Sequence, residues 1–327
     1  MSKRKNAKNI AYLSVILILV LVIVFSGLQI LESTVFYTGQ AQEENFVSKT
    51  ITRDGVDYFP RQDITVMMVL GIDQYGSVEA SGSYNNSGAA DMVMLMIFDE
   101  QNEMCNILYL NRDTMLEMPV LGIGGKQAGT YYGQLALSHT YGSGLEDSCE
   151  NVKNTLESFL PGIAIDYYVS MNMDAISILN DAVGGVTVTV VDDFSDVDPT
   201  ITKGELTLRG EQAINYVRTR KDVGDQKNIT RMERQKEYVD GFLKALRAKE
   251  TEDTDFIVNV YDEVSQYLVT DCSVNVLSSM MERYTDYAVG EIVTPEGENV
   301  MGEKYYEFYA DEEKLDELIL RLFYAAK

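Results

Sequence analysis

The sequence predicts an α/β domain with a largely parallel or mixed sheet, carried behind one N-terminal transmembrane helix. Three observations lead there. A run of 22 uncharged residues, Ile10–Leu31, lies near the start of the 327-residue chain. Beyond it, apolar strand-length runs alternate with amphipathic helix-length stretches, the order that builds α/β domains. Hydrophobic content is ordinary at 46% and aromatics are tyrosine-rich, which supports a packed core.

The apolar run has the length of a bilayer crossing, about 20 residues. Lys3, Arg4, Lys5 and Lys8 precede it, and Glu32, Glu43 and Glu44 follow it. The positive-inside rule puts residues 1–9 in the cytoplasm as a basic tail and everything after Leu31 outside. Formal charge sharpens the asymmetry: the chain carries −24, so removing the +4 of residues 1–31 leaves −28 for the exported part. A surface this acidic excludes nucleic-acid binding through general electrostatics. The rival reading is a cleaved signal peptide, whose apolar core is normally shorter and ends at small residues. Ser26-Gly27 keeps that cleavage open, whereas no lipobox cysteine is present.

Residues 32–61 read as a polar stalk ending near Pro60, and residues 62–327 as one exported domain. Ile64 to Ile72 (ITVMMVLGI) is a buried-strand run closed by Asp73. Gln74 to Ala90, rich in Gly, Ser, Asn and Tyr, is a loop, and long loops in compact domains are often functional. Met92–Phe98 and Cys105–Leu110 are strands joined by a polar turn, and Leu121–Gly133 reads as a Gly-rich loop. Leu145–Leu160 is an amphipathic helix stopped by Pro161-Gly162. Ile165–Met171 is a strand, Met173–Val183 a helix and Gly184–Val190 a strand. Thr254–Leu268 and Val274–Tyr284 look helical, Tyr305–Tyr309 suits an edge strand, and Asp311–Tyr324 is a terminal helix. Cys105, Cys149 and Cys272 are too few and too scattered for a disulfide framework, although one pair of them is compatible with a bridge. The single histidine, His139, reads as structural, since no triad partner is evident.

Against this acidic background, Arg209 to Lys236 holds eight basic residues and four acids. Arg218 and Arg220 are two apart, so in extended chain they share a side. Arg231, Arg234 and Gln235 share one face of a helix that runs on to about Lys249. Thr230 and Glu233 match a capping box that would start that helix at Thr230. Convergent guanidiniums at a helix N-terminus suit a multiply charged anion, most naturally phosphate or pyrophosphate. Asp73, Asp91 and Asp113 sit at strand ends, where ligands gather in open α/β sheets. If the first two strands pair antiparallel, Asp73 and Asp91 share one sheet edge. Two carboxylates and a pyrophosphate are a natural cage for Mg²⁺.

These pieces carry a resemblance. VLGID (69–73), ADMVMLMIFD (90–99), LNRDTM (110–115), LALSHTYGSG (135–144), IDYYVSMNM (165–173), LNDAVGGVTVTV (179–190), LRGEQAINYVRTR (208–220) and RMERQ (231–235) stand in one order along the chain. Together they resemble the LytR-CpsA-Psr family of bacterial cell-envelope phosphotransferases. The resemblance implies a three-layer sandwich with a central mixed sheet and an apolar groove for a polyprenyl tail. It implies transfer of a glycopolymer from a polyprenyl-pyrophosphate carrier in the membrane to a peptidoglycan hydroxyl, leaving a phosphodiester. By motif position, Asp73 and Asp91 would hold Mg²⁺. Arg112, Arg218, Arg220, Arg234 and Gln235 would grip the pyrophosphate, with Arg231 in the same motif. Asp113 would orient Arg112 or help activate the acceptor hydroxyl, which makes Arg112, Asp113 and Asp91 the expected catalytic set. The chain departs from the family pattern at Ala89, where an arginine is usual, and at Asn111, where a proline is usual. The gap at Ala89 keeps two alternatives in view: a non-catalytic binder of polyprenyl phosphate or glycopolymer, and a pyrophosphatase on the same site.

Overall fold

The computed structural model describes residues 50–326, apart from residues 123, 220, 225–227, 253–255, 257–259, 261–262, 274–275, 277–278, 281–282 and 285–286. The expected membrane helix at 10–31 lies outside the described residues. Among those described, no helix is long and apolar enough to cross a membrane.

The described chain opens with a hairpin, β1 (Ile51–Arg53) and β2 (Val56–Pro60), and continues into β3 (Ile64–Ile72), β4 (Ala90–Asp99) and β5 (Met104–Leu110). A second hairpin, β6 (Met115–Leu121) and β7 (Gln127–Gln134), leads through a 3₁₀ turn (Leu135–Tyr141) into α1 (Glu146–Phe159). Then come β8 (Tyr167–Asn172), α2 (Met173–Ala182), β9 (Val186–Val190), β10 (Gly204–Leu208), α3 (Glu211–Arg218) and α4 (Asn228–Glu252). The chain closes with β11 (Leu268–Thr270), β12 (Ala288–Val293), the hairpin β13 (Gly297–Met301) and β14 (Tyr306–Ala310), α5 (Glu312–Phe323) and β15 (Tyr324–Ala326).

A six-stranded mixed sheet in the order β11-β8-β3-β4-β5-β12 is the centre of the molecule. β3 runs antiparallel to β4 and parallel to β8, and β12 runs parallel to β5. β3 is apolar on both sides because both of its faces are covered. Met67, Val69, Met94 and Met96 turn to one layer, which α2, α3, α4 and the β9–β10 pair complete. Val66, Met68, Val93 and Leu95 turn to the other, which α1 and α5 complete. The helix starts are chemically marked. Asn172 accepts from the amides of Asp174 and Ala175 to cap α2, and Asp311 accepts from Lys314 N to cap α5.

Four sequence expectations change. Residues 51–60, assigned to the stalk, are the strands β1 and β2, and β2 pairs with β15 from the far end of the chain. The Gly-rich stretch 121–133 is the turn and second strand of a hairpin, whose β7 is exposed along most of its length and so shows no apolar period. Arg218 ends a helix rather than lying in extended chain. α4 starts at Asn228, so Thr230 sits inside its first turn rather than at its cap. Arg220 lies outside the described residues, as does much of the helical stretch expected over 254–284.

Candidate functional site

The site is built at one end of the central sheet. Asp73 follows β3, Arg112 and Asp113 follow β5, and Asp91 lies at the start of β4, which pairs with both. The amide of Asp73 donates to Ala89 O at 2.9 Å, so the two strand ends are locked side by side. Asp91 owes its direction to a β-bulge. The register steps from Gly71↔Met92 to Ile72↔Ala90, which leaves Asp91 as the extra residue. Strict alternation from Val93, Leu95 and Ile97 would send Asp91 into the α1/α5 layer. The bulge turns it instead towards the α2/α4 layer, where it borders a cavity. Gly71 allows the close strand contact there: a Cβ on it would stand 3.1 Å from Met92 Cβ.

Arginines meet both carboxylates. Arg112 Nη1 donates to Asp91 Oδ1. From the first turn of α4, Arg231 Nη1 donates to Asp91 Oδ2 at 2.8 Å and Nη2 to Asp91 O at 3.3 Å. At the end of α3, Arg218 grips Asp73 through Nε at 2.8 Å and Nη2 at 3.3 Å, with its guanidinium over the Tyr75 ring. The hydrogen bond to Asp73 raises the Arg218 pKa, and Asp91 adds to it, so the two ion-pair groups act on each other. Asp91 and Arg231 are buried, Arg231 to 3% exposure, whereas Arg218 is 43% open to solvent. Asp113 is 1% exposed, lies 3.5 Å from Arg112 Nε and accepts from Gln134 Nε2 at 3.0 Å. Asn111 does locally what a proline would do by ring closure: its side chain accepts from Asp113 N at 3.0 Å and shapes the turn.

Arg234 and Gln235 face the end of α3. Arg234 donates to Tyr216 O at 3.1 Å, to Thr219 O and to Asp192 at 2.8 Å, and lies over the Phe194 ring. Gln235 Nε2 donates to Val217 O at 3.0 Å, while its Oε1 accepts from Tyr109 Oη. Burial raises the Tyr109 phenol, so it stays protonated and donates. α4 thus satisfies the open carbonyls at the end of α3 and fixes Arg218 in place. The ordering of the 74–89 loop escaped the sequence reading. Asn86 donates to His139 O at 2.8 Å, Gly142 O at 2.9 Å and Ser148 Oγ at 3.1 Å. His139 pairs through Nδ1 with Gly88 O at 2.8 Å. Burial lowers the His139 pKa to about 4, so the ring is neutral and structural.

Behind Asp91, Arg218 and Gln235 opens a cavity of about 120 Å³ with an almost wholly apolar wall. Met92, Met94, Met96, Met171 and Met173 line it, with Leu179 and Phe242 among their neighbours. Bulk water takes about 30 Å³ per molecule, so this space is small. Methionine side chains are flexible enough to widen it.

A family model described as the LytR_cpsA_psr family matches residues 30–323. The chain belongs to the LytR-CpsA-Psr family. The protein named polyisoprenyl-teichoic acid–peptidoglycan teichoic acid transferase TagU from Bacillus licheniformis is 25% identical over 323 residues, 98% of this chain and 97% of that one. The TagU of Bacillus subtilis is 26% identical over 197 residues, 60% of this chain and 57% of the relative. The solved structure titled "TagT bound to LIIa-WTA" shares the fold with a TM-score of 0.59 and 24% identity, covering 86% of this chain and 96% of that one. Protein gbs0355 of Streptococcus agalactiae shares it with a TM-score of 0.64 and 20% identity, covering 80% and 86%.

Proposed function

We propose that this protein is a membrane-anchored, extracytoplasmic phosphotransferase. It moves a glycopolymer from a polyprenyl-pyrophosphate carrier to a peptidoglycan hydroxyl and leaves a phosphodiester. One observation carries the reading: arginines from three separate elements converge beside the mouth of a methionine-lined apolar cavity. A lipid-linked diphosphate has that shape, with a multiply charged head on a greasy tail. The TagU relatives, named as transferases to peptidoglycan, support the reaction class. The run at 10–31 supplies the anchor and orientation.

In this reading Arg112, Arg218 and Arg231 exchange their carboxylate partners for phosphate oxygens, which accept bidentate guanidinium contacts equally well. Arg220 joins them from the same motif. Arg234 and Gln235 act through the end of α3, and Asp113 holds Arg112 in aim. The acceptor hydroxyl oxygen attacks the sugar-linked phosphorus and its O–H proton passes to the departing phosphate or to solvent, while the bridging P–O bond breaks to release polyprenyl phosphate. Asp73 and Asp91 offer hard oxygen donors on one sheet edge. With two phosphate oxygens and water that set fits Mg²⁺, which rarely has an all-protein cage. Among the described residues no group of three or more His, Cys, Asp or Glu forms such a cage. Bound there, Mg²⁺ supplies charge neutralisation at the transferring phosphoryl group. Both carboxylates are held by arginines without ligand, so diphosphate and metal each favour the other's arrival.

Ala89 favours a second reading, a binder without transfer, because its backbone is held against Asp73 at the site, where a methyl group offers no donor in place of the family arginine. One experiment separates the readings. Purified full chain is given a polyprenyl-pyrophosphate glycan, peptidoglycan and Mg²⁺, and products are resolved with and without acceptor. Transfer that falls at least tenfold in Arg218→Ala, as loss of a charged hydrogen bond of about 1.5–3 kcal/mol implies, supports the phosphotransferase. Unchanged turnover rejects the role of Arg218. Binding without any transfer selects the binder, and acceptor-independent release of phosphate selects a pyrophosphatase.

A further inference from the structure

The two hairpins that flank Asp113 carry exposed tyrosines that neither the core nor the diphosphate site uses. β6–β7 and β13–β14 are tied to the site and to each other. Phe308 N donates to Asp113 O at 2.8 Å, and Thr114 bridges Phe308 in parallel. Gln134 Nε2 donates to Tyr306 O at 2.7 Å as well as to Asp113 Oδ1. The register then decides which side chains face out. Tyr132 stands opposite Glu117, whose sequence neighbours Leu116 and Met118 are buried. Tyr309 stands opposite Glu298, next to the buried Phe308. Tyr132 is 55% exposed and Tyr309 40%. The two tyrosines lie on hairpins joined by the Gln134–Tyr306 and Thr114–Phe308 contacts, and Tyr309 Oη donates to Glu307 at 2.6 Å.

We propose that this outer face is a platform for an uncharged glycan strand, with the Tyr132 and Tyr309 rings stacked on sugar rings. The occupant follows from the chemistry displayed. Tyrosine offers an apolar face and a polar tip, which matches a sugar ring with its C–H face and hydroxyls. Glu117, Glu298 and Glu307 share the surface. They repel a phosphate-rich polymer or an anionic lipid headgroup, and they accept hydrogen bonds from sugar hydroxyls. The platform adjoins Asp113, which sits 3.5 Å from Arg112, so it delivers a hydroxyl-bearing acceptor to the diphosphate rather than holding the charged donor. Naming it an acceptor subsite rests on the proposed phosphotransferase; the glycan surface itself does not.

The test uses the full chain in detergent and an uncharged N-acetylglucosamine hexamer as probe, followed by saturation-transfer NMR and calorimetry. The Tyr132→Ala/Tyr309→Ala variant should bind the hexamer about tenfold more weakly, as loss of two ring contacts implies. The Tyr132→Phe/Tyr309→Phe variant should stay within about threefold of wild type, because the rings remain. Inorganic pyrophosphate should bind all three proteins alike. Equal hexamer binding by wild type and the double alanine variant overturns the platform. So does an alanine variant that loses binding to polyphosphate, to anionic vesicles or to a second copy of the chain while its hexamer affinity is unchanged. Tyrosine-dependent hexamer binding in a protein with no transfer activity supports the platform and refutes the phosphotransferase. Transfer activity without tyrosine-dependent hexamer binding does the reverse.

Discussion

Replacing Asp91 with Asn isolates the electrostatic role of the bulge. The shape is kept and one oxygen remains, so no cavity term enters. What disappears is the charge between Arg112 and Arg231, and Arg231 is almost fully buried. Removing one partner of a buried ion pair costs about 3–5 kcal/mol. Asp113, 3.5 Å from Arg112 Nε, offsets part of the loss, which favours the lower end. At about 2–4 °C per kcal/mol for a domain of this size, about 3 kcal/mol lowers Tm by about 6–12 °C. The two guanidiniums then lose the carboxylate they share, so inorganic pyrophosphate should restore stability more in Asp91→Asn than in wild type. At one hundred times its Kd a ligand contributes about 2.7 kcal/mol, most of the deficit. Thermal melts of both proteins across a pyrophosphate series supply the measurement. A variant melting within about 2 °C of wild type, or gaining less from pyrophosphate than wild type does, refutes the reasoning.

Three further outcomes are expected. Burial pushes the Asp99 carboxyl up, but its hydrogen bonds from Arg61 and Asn102 outweigh that and hold it down to about 2. A depressed carboxylate stabilises above its unfolded value and loses the effect as pH falls through its folded value. Arg61→Met should therefore cost about 2–3 kcal/mol at pH 6, with the difference from wild type shrinking as pH falls from about 4 to 2, as urea titrations would show. Met171→Phe stiffens the cavity wall; it should weaken binding of a long-chain polyprenyl diphosphate about tenfold while leaving inorganic pyrophosphate within about twofold, as competition calorimetry would read. Cys105, Cys149 and Cys272 are free and buried, and burial pushes the Cys272 thiol up to about 12. Alkylation at pH 8 should label none in the native protein and all three after unfolding without reductant; a bridged pair would leave only one to react.

What the sequence reveals here is what short-range patterning controls. β3 was readable residue for residue because a central strand must be apolar on both faces. α1 and α5 were readable from helical spacing and from turn or cap signals at their ends. The antiparallel pairing of β3 and β4 that puts Asp73 and Asp91 on one edge was an open condition, and the register meets it. The bulge at Asp91 was not legible, because no residue type marks it and strict alternation argues against the direction it gives. β7 was hidden because Gly129 and Gly133 interrupt a strand that buries little. β1 and β2 were hidden because their partner, β15, comes from the opposite end of the chain. The basic island was legible as composition, but not its division of labour. Arg112, Arg218 and Arg231 meet the acidic edge, whereas Arg234 turns to the carbonyls ending α3.

The proposed transfer depends on where a lipid-linked diphosphate lands. The decisive measurement is a crystal structure of the α/β domain with a polyprenyl diphosphate analogue and Mn²⁺ as an anomalous marker. The expected result has the diphosphate among Arg112, Arg218 and Arg231, the metal signal on Asp73 and Asp91, and the tail between the displaced methionines of the cavity. A diphosphate bound elsewhere, with Asp91 still clasped by Arg112 and Arg231 and the cavity closed, would contradict it.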